Sequence, residues 1–375
     1  MLLPLGLILA GFLFAFDFQN LLAWRRTKVL RPAKRGTDDF TIVVPLYGHP
    51  RYFRDRHRLL HLKDRILVAI DVGNEVMERF AVELEEEGWR VFRTRLVAPV
   101  PPRLLQAVLA AGVVTTTYVI RMDADTYVGE DLRNAVAAAK RDGADLCSVK
   151  VHVRNRRKGI VCKLQALEYD MAMLSRHFRP WLTSGACFVA RTTMATEIFN
   201  RHSMWFPGED LETGRIAHAL CMRVRHLDVC VQTDAPDTWP ALFRQRRLWW
   251  AGNFRHTLTN FDRNALHLPV WTFYYVALVW CGVYFKWWHA LWSSMHPSYA
   301  VRFVPALFAL YAVVTFVGNW QVRSRWMLLF PLYALAQAML MPTVGSAYYV
   351  VLARRKRDLG RYGFGLRRRP LAELA

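Results

Sequence analysis

The feature that most constrains this chain is an alternation of period between residues 40 and 123. Short runs of apolar and β-branched residues take turns with stretches of helical spacing. "FTIVVPLYG" (40–48), "RILVAID" (65–71), "WRVFRT" (89–94) and "TYVIRMD" (117–123) have the length and composition of buried strands. Between the first two lies a polar, basic stretch that reads as helical. "NEVMERFAVELEEEG" (74–88) predicts a surface helix stopped by glycine. "PPRLLQAVLAAG" (101–112) predicts another, with proline near its start and glycine after its end. Strands alternating with helices predict an α/β domain: a mostly parallel sheet covered on both faces.

Ligands of such sheets gather beyond the carboxyl ends of the strands. Asp71 falls at one such end, and Asp123 and Asp125 fall at another, flanking a single alanine. "VGEDLRNAVAAAK" (128–140) then predicts a helix. Paired carboxylates at this place suit a hard divalent cation, which takes one or two carboxylates together with substrate phosphates. The plainer reading of the same residues is a solvated turn, with Asp125 as a helix cap.

Three clusters further along add weight. "TSGACFVART" (183–192) sets small residues beside an apolar strand, and Gly185 would let backbone approach a ligand closely. In "FPGEDLETGRIAHAL" (206–220), Glu209 and Asp210 open a helix. A carboxylate there is favoured by the helix dipole and is also placed to take a proton from a hydroxyl. "TDAPDTWPALFRQRRLWWAGN" (233–253) combines arginines, which suit a diphosphate, with indoles, which suit the face of a sugar ring. The same stretch also reads as a basic amphipathic helix lying on a membrane.

Composition separates two regimes. "LLPLGLILAGFLFAFDFQNLLAW" (2–24) is long enough to cross a hydrocarbon core about 30 Å thick. No basic residue precedes it, so it reads as a retained anchor rather than a cleaved signal. Arg25, Arg26, Lys28, Arg31, Lys34 and Arg35 follow and place the next segment in the cytoplasm. Three more apolar runs occupy 268–292, 301–320 and 326–353. Three spans would put the basic tail "RRKRDLGRYGFGLRRR" on the outer side. Either 326–353 breaks or re-enters at Pro342, or one run lies in the interface. The net charge of +21 comes with no zinc-finger spacing and no RNA-binding signature, and much of it flanks the apolar runs, so nucleic acid is not the partner. The six cysteines form no CxxC pair and imply neither a disulfide framework nor a zinc site.

The order "VVPLYG", Asp71, "DAD", "SGACFVAR", "GED" and "TDAPDTW…QRRLW" resembles the family 2 glycosyltransferases of the GT-A fold. With apolar segments on both sides it looks like their membrane-embedded, processive branch, which includes hyaluronan, chitin, chito-oligosaccharide and cellulose synthases. The resemblance covers about residues 40–255. It implies a Rossmann-like mixed sheet flanked by transmembrane helices. The implied division is an N-terminal transmembrane helix (1–24), a cytoplasmic catalytic domain (38–235), and an amphipathic interface helix carrying QRRLW (236–265). A C-terminal region of about three spans (266–353) and a basic tail (354–375) complete it.

The resemblance also implies roles. Pro45, Tyr47, Asp71, Arg103 and Asp123 would bind the nucleotide-sugar, a UDP-sugar. Asp125, with Asp123, would hold Mn2+ or Mg2+ on the diphosphate. Asp210 would be the base, with Glu209 beside it. Gln245, Arg246, Arg247 and Trp249 would serve the diphosphate and the acceptor, with Gly185 nearby. The acceptor would be a growing glycan or a lipid-linked sugar at the bilayer. Some positions depart from the family pattern: Leu248 replaces an arginine, His49 stands where an acid is usual, "DVGN" keeps only Asp71, and Pro102-Arg103 replaces Gly-Lys.

Overall fold

A computed structural model describes residues 20–21, 23–24, 26, 28–129, 131–205, 207–259, 282–322 and 324–355. In chain order the strands are β1 (Val29–Leu30), β2 (Phe40–Leu46), β3 (Ile66–Asp71), β4 (Arg90–Thr94), β5 (Tyr118–Met122), β6 (Tyr127–Val128), β7 (Leu146–Val153), β8 (Cys187–Arg191) and β9 (Val224–Thr233). The helices are α1 (Glu75–Glu86), α2 (Pro101–Ala110), α3 (Asp131–Asp142), α4 (Ile160–Arg176), α5 (Thr192–Arg201), α6 (Glu209–Ala219), α7 (Trp239–Thr259), α8 (Gly282–Met295), α9 (Pro297–Gly318) and α10 (Phe330–Arg355). The chain divides into two units. One comprises residues 26–155 and 179–234. The other comprises, among the described residues, 20–24, 156–178 and 235–355. Segment 156–178, which the sequence places inside a single span 38–235, thus groups with the later helices.

The first unit is a sheet in the order β1-β9-β7-β8-β5-β2-β3-β4, with β6 on β9. β2, β3 and β5 are buried at every position, as the continuous apolar runs require of strands covered on both faces. β2 pairs in parallel with β3 and β5, and β4 in parallel with β3. β8 runs antiparallel between β5 and β7. The sheet is therefore mostly parallel, as the alternation predicts, and it is mixed through the antiparallel β8 and the short β6 on β9. Strand direction there depends on the long connection through 156–178, which no local period reports.

Local chemistry fixes the ends. Asn74 caps α1 by accepting from Met77 N–H at 3.0 Å, and Gly88 takes the left-handed conformation after it (φ +79°). The basic stretch after β2 forms two 3-10 segments, Pro50–Phe53 and Arg56–Arg65, rather than an α-helix. Its buried Leu59 and Leu62 are three residues apart, the spacing that lies on one face of a 3-10 turn. The helix expected over 128–140 begins only at Asp131, because Tyr127–Val128 pairs with β9 first.

The second unit is helical. α7 and α10 pack together, and a Cβ at Gly345 would lie 2.9 Å from the Trp250 side chain and 3.0 Å from its backbone. Asn20, at the end of the first apolar run, belongs to this unit and donates to the Met171 carbonyl (3.2 Å) and to Asn319 Oδ1 (2.6 Å). Among the described residues α9 is the one continuous helix long and apolar enough to cross a membrane. The bent pair Phe330–Met341 and Thr343–Arg354, inclined by 42°, passes the same test when taken as one. The break falls at Pro342, where the missing N–H interrupts the helical ladder. The run 2–19, residues 260–281 and the tail beyond 355 lie outside the described residues. Cys147, Cys162, Cys187, Cys221 and Cys230 are free thiols.

Candidate active site

The site is assembled at the carboxyl end of β5. Directly after that strand, Asp123 donates its N–H to the Ala186 carbonyl (3.0 Å) and accepts from Thr126 N–H on its own carbonyl (3.0 Å). The two bonds hold Asp123-Ala124-Asp125 as a turn against the segment entering β8. The Asp123 side chain is partly exposed and Asp125 is exposed.

α6 brings the second pair of acids. It starts after Gly208, whose φ of +91° favours glycine. It docks so closely on the 181–183 segment that a Cβ at Gly214 would fall 1.6 Å from the Trp181 carbonyl oxygen. This contact, with Thr183 Oγ1 donating to the Asp210 carbonyl at 2.5 Å, fixes the first turn of α6 beside Gly185. There Asp210 accepts through Oδ2 from Gly185 N–H and through Oδ1 from Leu211 N–H, both at 2.9 Å. The Glu209 carbonyl accepts from His202 Nε2 (3.0 Å) and Thr213 Oγ1 (2.9 Å). His202 Nδ1 accepts from Met204 N–H (3.0 Å).

Arg121 joins the two halves. It is buried in β5, and its Nη2 lies 2.8 Å from Asp123 Oδ1 and 3.4 Å from Glu209 Oε1. A narrow cleft opens there. Arg121, Gly185, Glu209, Asp210 and Thr213 form one side of its lining, and Pro102, Leu105, Phe188 and Phe199 its apolar wall. Burial pushes the Glu209 carboxyl up to about 8, despite Arg121, with Asp210 and Asp123 adding to the rise. Desolvation likewise pushes Asp123 up to about 7, against the pull of Arg121. Tyr47, half-buried just beyond β2, feels the same acids. Burial first, then Glu209 and Asp123, push its hydroxyl up to about 12.

The structure thus brings Tyr47, Asp123, Gly185, Glu209 and Asp210 to one place. Asp71 is buried at the end of β3, where one carboxylate oxygen accepts from Leu96 N–H (2.9 Å). Pro45 is buried in β2, in register with Ala69. Arg103 lies half-buried in the first turn of α2. Asp123 and Asp125 offer only carboxylate oxygens, a donor set that fits a hard cation completing its shell with phosphate and water. No group of three side-chain ligands exists among the described residues, so such a cation would depend on the substrate for the rest.

Gln245, Arg246, Arg247 and Trp249 lie on α7, in the helical unit. Arg246 is buried and its Nη2 donates to Glu168 Oε2 (2.7 Å). The same oxygen accepts from Tyr333 OH (2.7 Å). The Arg246 guanidinium carbon stands 4.4 Å from the centre of the Trp249 ring, and Trp249 is 39% exposed. Arg247 stands 4.7 Å from the Tyr348 ring. Gln245 is half-buried, and its side-chain oxygen has no partner among the described residues. Arg246 is therefore engaged by a carboxylate of its own unit.

Sequence reasoning missed Arg121 and Gly214. The signal for the first was a lone charge inside the apolar run "YVIRM". The second had no local signal, since its need comes from a backbone some thirty residues away in sequence.

The model of glycosyl transferase family group 2 matches residues 118–350. Among solved structures, a mannosyltransferase from Pyrobaculum calidifontis in complex with GDP-Man and Mn2+ is similar, with TM-score 0.53 and 15% identity. The match covers 95% of this chain and 99% of that one. S. aureus TarS 1–349 in complex with UDP-GlcNAc matches at TM-score 0.41 and 15% identity, over 86% of this chain and 93% of that one. None of the curated proteins matches the sequence. The first structure shows a shared fold, and the family model covers more than half of the chain, including β5, α6 and α7. The chain belongs to glycosyl transferase family group 2.

Proposed function

We propose that this glycosyltransferase is an inverting enzyme that uses a UDP-sugar to extend a β-linked glycan at a membrane, processively. The observation that carries the reading is the placement of Asp210. Its carboxylate is held by two backbone N–H groups, half-open to the cleft, across from Asp123 at the strand end. Glu209 beside it is buried against Arg121, whereas Asp210 is half-open, which favours Asp210 as the base.

In the proposed reaction Asp210 takes the proton of an acceptor hydroxyl as that oxygen attacks the anomeric carbon. The new carbon–oxygen bond forms as the bond to the diphosphate breaks, and the nucleoside diphosphate leaves. One displacement inverts the centre and needs one base, unlike the two carboxylates of a glycosidase. Asp125 and Asp123 would hold Mn2+ or Mg2+, which supplies charge neutralisation to the leaving diphosphate when bound. Tyr47, Pro45, Asp71 and Arg103 are assigned to the nucleotide. Trp249 is assigned to the acceptor sugar, with Gln245, Arg246 and Arg247 on the same helix. Apolar runs at 2–24 and in 266–353, with α9 long enough to span, support an integral membrane protein whose catalytic unit faces the cytoplasm.

The second reading is transfer of one sugar, or a few, to a polyprenyl phosphate or glycolipid. It is favoured by the small extent of apolar helix after the catalytic unit among the described residues. One experiment separates the two. The full chain in detergent is given UDP-glucose, UDP-N-acetylglucosamine, UDP-glucuronate, UDP-galactose or GDP-mannose, singly and in pairs, with Mn2+, Mg2+ or EDTA. Nucleoside diphosphate release and product size are followed. Release with a long product supports the processive reading. Release only when lipid phosphate is supplied supports the second. No release from any donor overturns both.

A further inference from the structure

β5 is buried at all five positions, yet the fourth is an arginine. A guanidinium among apolar neighbours must find opposite charge or raise the cost of folding. Arg121 finds it at the strand end, where one nitrogen serves Asp123 at 2.8 Å and Glu209 at 3.4 Å. Those acids come from separate elements, since Arg121 and Glu209 lie 88 residues apart in sequence. The other nitrogen, Nη1, is buried without a hydrogen-bond partner among the described residues. A Cβ built on Gly185 would come 3.6 Å from Nη1 and 3.7 Å from Asp210 Oδ2. The unused donor therefore looks onto the cleft between Gly185 and the proposed base.

We propose that Arg121 is a positioning residue for the transfer reaction. It clamps the donor-side Asp123 to the first turn of α6, so that Asp210 stays aligned with the anomeric carbon. The inference rests on the reading of Asp123 and Asp210 given above. A buried ion pair with only a structural role would leave the kinetics of the folded enzyme untouched. A plain donor-binding contact would raise KM and spare kcat.

The test uses the full chain in detergent, as wild type, Arg121→Gln and Arg121→Lys. Thermal unfolding confirms folding, MnCl2 binding is titrated by the spectrum of free Mn2+, and kcat and donor KM are measured. For Arg121→Gln, kcat should fall about 100-fold with donor KM changed by less than about threefold. Its affinity for Mn2+ should rise about threefold or more, because a cation beside the carboxylates is gone. Arg121→Lys should keep the wild-type Mn2+ affinity and recover about tenfold of the lost kcat, since it restores the charge but not the fork. A folded Arg121→Gln with wild-type kcat, or with a tenfold higher KM and unchanged kcat, overturns the proposal. If Arg121→Gln does not fold, Arg121→Lys decides, and wild-type kcat there overturns it. A wild type that turns over no sugar nucleotide sinks the functional reading separately. The Mn2+ titration then decides alone, and equal affinity in wild type and Arg121→Gln, or no binding in either, overturns the role of Arg121.

Discussion

Asp210 and Glu209 are neighbours in sequence with opposite surroundings. Asp210 is half-open and receives two backbone N–H groups, while Glu209 is buried against Arg121. Removing the base while keeping its shape should separate chemistry from binding. Asp210→Asn should lower kcat by about 1,000-fold, within the range of general-base contributions, and leave the donor Kd unchanged by calorimetry. Full turnover in that variant removes Asp210 as base. Glu209 makes a pH prediction. Its folded value of about 8 lies above the ordinary 4.5, so the folded protein holds a proton that the unfolded chain has lost across that window. Its contribution to stability is present below the ordinary value and is lost as pH rises toward 8. Glu209→Gln carries no such proton. The difference in Tm, Glu209→Gln minus wild type, should therefore increase from pH 5 to pH 8 in metal-free protein. A flat difference would show that Glu209 titrates normally.

At the scale of elements, α6 and α7 are each held within their own unit by contacts that their sequences do not by themselves announce. α6 meets the 181–183 backbone through Gly214, where a methyl group has no room against the Trp181 carbonyl. Gly214→Ala should cost about 3 kcal/mol, at the upper end of overpacking penalties. Gly208→Ala should cost about 1–2 kcal/mol for the left-handed conformation alone. Denaturant unfolding ranks them, and equal costs would contradict the close approach at 214. Arg246 of α7 shares its partner, Glu168 of α4, with Tyr333 of α10. Glu168→Ala leaves a buried guanidinium unpaired and should destabilise by about 3–5 kcal/mol. Adding Arg246→Met should recover part of that loss, because the stranded charge is then gone too. A double variant no better than the single one would mean that Glu168 acts through packing and not through Arg246.

At the scale of the molecule, the proposed membrane placement makes a simple prediction. Full-length protein should remain in the membrane pellet through high salt and alkaline carbonate and leave it only with detergent, because apolar spans are not held by charge. Release by salt or carbonate would reduce the apolar runs to a surface association and remove the case for chain translocation.

The sequence by itself determined β2 through β5 with α1 and α2, because each is a local period long enough to show which faces are buried, but not the 3-10 form of the stretch between β2 and β3. It also placed Asp123, Asp125, Glu209 and Asp210 at element ends, since acids at strand ends and helix starts are visible one element at a time. A break at Pro342 was one of two readings that the sequence left open, and the fold has the bend there. What the sequence could not carry was anything set by a neighbour far along the chain. The antiparallel course of β8, the need for glycine at 214, the hold of Glu168 on Arg246, and the clamp that Arg121 forms between β5 and α6 are all of this kind. Each is a contact between segments whose separation no period spans, and only the folded chain brings their partners within reach.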